Sequence, residues 1–156
     1  MTKQVMHRTA RDNEYLHRDF HGALSAAIQY LDDRYGAEAV REYLWQFARA
    51  FYAPLIEQVQ VRGLDALEEH FRRLYAIEGG DVHFVRSQDE LRIEVARCPA
   101  VAHMRQRGYR VADRFYETTA TVNRALCDGT PFAAELLDYD AETGAGIQRF
   151  YKREKK

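Results

Sequence analysis

The sequence is short of the residues that staple, anchor or punctuate a chain. Its two cysteines, Cys98 and Cys127, are too few for a disulfide framework. No apolar run approaches the roughly 18 residues that a membrane helix needs. Residues Met1 to Asn13 are polar and contain no apolar stretch of signal-peptide type. These absences point to a cytoplasmic, reduced setting with no membrane partner. Charge of one sign is lacking too: 23 Lys and Arg stand against 24 Asp and Glu, so no overall field draws the chain to nucleic acid. There is no glycine-rich phosphate loop, dinucleotide fingerprint or serine elbow, so nucleotide and serine-hydrolase chemistry lose their usual supports.

What is present suffices for one packed core. At 156 residues and 46% hydrophobic composition the chain has the size and apolar content of one domain. We read residues 1–12 as a mobile arm, 13–152 as a single α+β domain and 153–156 as a charged tail. A first helix is expected from Asp12 or Asn13, with an apolar stripe of Leu16, Phe20, Leu24, Ala27, Leu31 and Tyr35, and a stop at Gly36. A second runs from Ala37 to Gln60 and bends near Phe51, because Pro54 lacks an N–H and its ring crowds the preceding turn. A third spans Leu64 to Glu78, between Gly63 and the Gly79-Gly80 break.

The period then changes from helical to alternating. Asp81 to Arg86 and Glu90 to Arg97 read as a hairpin, Cys98-Pro99 opens a short helix, and a further helix with Val111, Phe115, Val122 and Leu126 inward follows Gly108. Phe132 to Tyr139 and Ala145 to Lys152 form a second hairpin around Glu142-Thr143-Gly144. The expectation is an α+β fold: N-terminal helices packed with a split antiparallel sheet made of two hairpins.

Several residues carry possible chemistry, each with a bland reading beside it. His17 and His21 lie four apart on one helix face, a spacing at which two imidazoles can hold one divalent metal or one polar ligand; packed or surface histidines share that spacing. Arg18 stands where a zinc peptidase needs glutamate. Cys98, at a strand end and a helix N-terminus, sits where the dipole lowers a thiol pKa, or is a small buried apolar residue. Tyr116, Thr119, Asn123 and Cys127 make a polar stripe that faces either a pocket or solvent. Glu117 beside them is an acid or base if desolvated. Arg149 can clamp a carboxylate with its two-pronged guanidinium or pair with an acid across the sheet. Arg105, Arg107, Arg110 and Arg114 form a local basic face.

The runs Cys98-Pro99-Ala100-Val101, Tyr116-Glu117, Asn123-Arg124-Ala125-Leu126 and Gly146-Ile147-Gln148-Arg149-Phe150 resemble the L-2-amino-thiazoline-4-carboxylic acid hydrolase family. The likeness spans roughly Cys98 to Lys152. It implies opening of a cyclic amidine-like ring by water with cleavage of a carbon–nitrogen bond. The chain departs from that family's pattern at Ile147 and around Thr118-Thr119, where the family often carries cysteine. The organisation is also similar to that of 4-vinyl reductase-like ligand-binding domains, which bind small molecules without cleaving them. Two expectations follow. One is a hydrolase in which Cys98, His17, His21 and Glu117 act on a substrate held by Tyr116, Asn123 and Arg149. The other is a binding or sensor module for a hydrophobic carboxylate. A third, bland option is a homodimer formed through Tyr43, Trp45, Phe51 and Tyr52.

Overall fold

The computed structural model describes residues 18–154, so the arm, the expected helix start at Asp12 or Asn13, and His17 lie outside the described residues. Four helices come first: α1 (Phe20–Tyr35), α2 (Ala37–Phe51), α3 (Ala53–Arg62) and α4 (Leu64–Glu78). The hairpin β1 (Asp81–Arg86) and β2 (Glu90–Arg97) follows, then α5 (Pro99–Arg107), α6 (Glu117–Cys127) and the hairpin β3 (Phe132–Leu137) and β4 (Gly146–Lys152). The expected α+β organisation is present. The two hairpins, separated in sequence by α5 and α6, join through β2 and β4 into one antiparallel sheet of order β1-β2-β4-β3.

Register decides which residues face the helices. Leu91 opposes Phe150, Ile93 opposes Gln148 and Val95 opposes Gly146, and this set, with Ala134 of β3, points at the helical layer. Leu91, Ile93 and Phe150 are fully buried. Phe71 of α4 packs on Phe150 with ring centroids 5.4 Å apart, which ties the helices to the middle of the sheet. The other face carries Glu90, Arg92, Ile147, Arg149 and Tyr151 and is partly open to solvent, as one-sided antiparallel sheets allow.

The expected bend at Pro54 is a complete break. Helix α2 ends at Phe51, Tyr52 leaves helical geometry, and α3 restarts with Pro54 in its first turn, where a missing N–H is tolerated.

The helix expected after Gly108 starts later than its apolar spacing suggested, at Glu117, because the preceding backbone is hydrogen-bonded elsewhere. Ser25 Oγ donates to Arg110 O and accepts from Ala112 N, both at 2.8 Å, while Gln29 Oε1 accepts from Asp113 N at 3.0 Å. Arg114 Nε donates to Asp32 Oδ1 at 2.8 Å. Ser25, Gln29 and Asp32 therefore present one polar face of α1 that grips residues 110–114 in a non-helical path.

The buried face of α1 is rotated as a result. Ser25, Ile28 and Gln29 are its buried residues. Phe20 and Tyr35, expected in the core stripe, are 55% and 63% exposed.

Candidate functional site

A cavity of about 490 Å³ lies between the helical layer and the sheet. Leu24 of α1, Leu44 and Phe47 of α2 and Leu74 of α4 form its helical walls, with Phe115, Thr118, Thr119 and Val122 on the α6 side. Val95, Leu136 and Gln148 form the sheet wall. Phe20 and Phe51 also border it, and both are more than half exposed, so they mark its rim. Tyr52, at the α2–α3 break, and Phe115, in the non-helical stretch before α6, both line the hollow.

Few polar groups converge there. His21 Nε2 lies 3.2 Å from Glu78 Oε2, joining the start of α1 to the end of α4. Asn123 Nδ2 donates to Gln148 Oε1 at 2.8 Å, and Gln148 Nε2 donates to Tyr75 Oη at 2.6 Å. That relay satisfies a buried amide pair and leaves the Tyr75 hydroxyl proton free to donate. Tyr139 brings a phenol whose pKa burial, above all, pushes up to about 12.

Cys98 also lines the cavity. Its thiol is not activated as its place before α5 suggested. Burial raises the pKa, and the backbone N–H groups of Val101 and Ala100, which act in the other direction, do not offset it. The loop before β4 is packed directly behind it, with Cys98 N donating to Thr143 O at 3.0 Å.

The other expected residues stand elsewhere. Glu117 is buried, but its Oε1 accepts from Arg41 Nη1 at 3.1 Å and its Oε2 from Thr121 Oγ1 at 2.6 Å. It pins α2 to α6 and is not among the residues lining the cavity. Tyr116 packs against Tyr139 with centroids 5.9 Å apart, behind the wall. Asn123 acts one layer back through Gln148, and Cys127 is in the core.

Arg149 is on the outer face of the sheet, where Glu90 Oε2 takes its Nη2 at 2.7 Å and Glu135 Oε1 takes its Nη1 at 2.6 Å. Of the two readings of Arg149, the cross-sheet ion pair is the one present. Among the described residues no three His, Cys, Asp or Glu side chains gather as a metal site, and the described partner of His21 is Glu78.

Glu78, Tyr75, Gln148 and Tyr139 were missed from the sequence. The signal for two of them was present, since Phe71, Tyr75 and Glu78 share one face of α4 and put polar groups into line with its core residues.

No protein-family model and no curated protein matches the chain.

Proposed function

We propose that this protein is a small-molecule-binding module whose largely apolar ligand occupies the cavity between the helices and the sheet. The observation that carries the reading is the cavity itself: about 490 Å³, walled by aliphatic and aromatic side chains, with a few convergent polar groups. Volume in this range suits a small metabolite rather than a polymer. Hydrolysis of a cyclic carbon–nitrogen bond is the second reading, favoured by one observation, that Cys98 and His21 border the same cavity. The raised thiol and the engagement of Glu117 with Arg41 weigh toward binding without cleavage.

Calorimetric titration with phenylbutanol, a neutral probe with an apolar body, tests the reading. Saturable binding is expected, weakened at least about tenfold by Thr119→Phe, which fills the hollow from α6. Absence of saturable binding by phenylbutanol and by its charged analogues overturns it. Thiazoline carboxylate incubated at high enzyme concentration is expected to yield no product by mass; turnover would reinstate the hydrolase.

A further inference from the structure

The cavity has a sign. Among the described residues that line it there is one carboxylate, Glu78, and no lysine or arginine. The Glu78 side chain is 8% exposed, and its only hydrogen bond from a described residue is the one at Oε2 to His21. Its Oε1 accepts no hydrogen bond from a described residue, which leaves acceptor capacity beside the cavity. The field of Glu78 reaches the other walls. Burial is the main cause that holds the hydroxyls of Tyr52 and Tyr75 and the thiol of Cys98 in their neutral forms, and the Glu78 charge adds to it at all three. Burial penalises a charge of either sign, whereas the Glu78 contribution depends on sign: it disfavours a ligand anion and favours a cation. Aromatic faces point the same way, because Phe47, Tyr52, Tyr75, Phe115 and Tyr139 surround the space and ring faces attract cations.

We propose that the ligand of this cavity is an apolar amine, bound as its cation with the ammonium group facing Glu78 Oε1 and the carbon body against the aromatic wall. This rests on the cavity being a ligand site. It also reverses the expectation of a carboxylate ligand: the arginine that would have held one, Arg149, is on the opposite face of the sheet, engaged by Glu90 and Glu135.

Three probes with one skeleton separate the two claims. Phenylbutylamine, phenylbutanol and phenylbutyrate are titrated calorimetrically into the full chain, in buffer above the ordinary histidine range, where the amine is cationic and the acid anionic. The amine is expected to bind tightest and the carboxylate weakest, with at least about tenfold between them. Glu78→Gln brings the amine to within about threefold of the alcohol, whereas Glu57→Gln, an exposed change on α3, leaves the order as in the parent. The order in the unmodified protein decides the matter even where Glu78→Gln fails to fold. Carboxylate binding as tight as the amine, or a full amine preference in Glu78→Gln, overturns the charge assignment while the cavity stays a binding site. Failure of all three probes to bind overturns both.

Discussion

Gly144 closes the cavity wall behind Cys98, and replacing it with alanine measures how closely that wall is packed. Gly144 is buried with φ +68, and a Cβ there would overlap Cys98 Cβ and stand 2.9 Å from Val101 Cγ2. Two terms add. A positive φ costs a residue with a Cβ about 1–2 kcal/mol. Overlap with Cys98 Cβ, which is fixed to the backbone at the start of α5, forces a shift worth about 1–3 kcal/mol. Gly108 is the internal control: its φ is +72, yet nothing lies within 4 Å of a Cβ built there. Gly108→Ala therefore carries only the first term, about 1–2 kcal/mol, and Gly144→Ala about 2–5 kcal/mol. Equilibrium urea unfolding followed by circular dichroism and fluorescence reads both, with unchanged slopes showing that the same transition is compared. Cys98→Ala keeps its Cβ and should not rescue Gly144→Ala. A Gly144→Ala protein as stable as Gly108→Ala would refute the packing described for this wall.

Other consequences are as direct. Ser25→Ala strands Arg110 O and Ala112 N, with an expected loss of about 1–3 kcal/mol and faster amide exchange across residues 109–116; unchanged exchange there would contradict the grip of α1 on that segment. Arg149→Met breaks a half-exposed ion network on the outer face, so a loss of only about 1 kcal/mol and unaltered phenylbutanol affinity are expected by denaturation and calorimetry. Because burial and Glu78 raise the Cys98 thiol, its iodoacetamide labelling should be slower than that of a free model thiol near neutral pH and should accelerate as pH rises; labelling faster than the model would argue for an activated nucleophile.

Local signals were enough for much of the architecture. Strands β1 and β2 lie where the alternating pattern placed them, and α4 is bounded by Gly63 and Gly79 as their break signals implied. The late start of α6 was not legible, because the backbone of residues 110–113 is bonded to Ser25 and Gln29 of α1, and the Arg114 side chain to Asp32, all more than 80 positions away. The candidate site divided along the same line. His21 and Cys98 reach one cavity, whereas Glu117 and Arg149, equally plausible by residue type, are consumed by Arg41 and by Glu90 and Glu135. Which acid faces a hollow depends on helix rotation, and apolar spacing sets that rotation only coarsely. On β4 apolar residues occupy both faces, Phe150 inward and Ile147 and Tyr151 outward, so alternation alone did not single out Gln148 as an inward polar group.

The most direct measurement of ligand binding is a titration of methyl-labelled protein with phenylbutanol by two-dimensional NMR. Saturable shifts are expected at Leu24, Leu44, Val95, Val122 and Leu136, which line the cavity, with Val85, Leu137 and Ile147 still. Shifts centred on those three outer residues, or no saturable shift at all, would contradict a ligand site between the helices and the sheet.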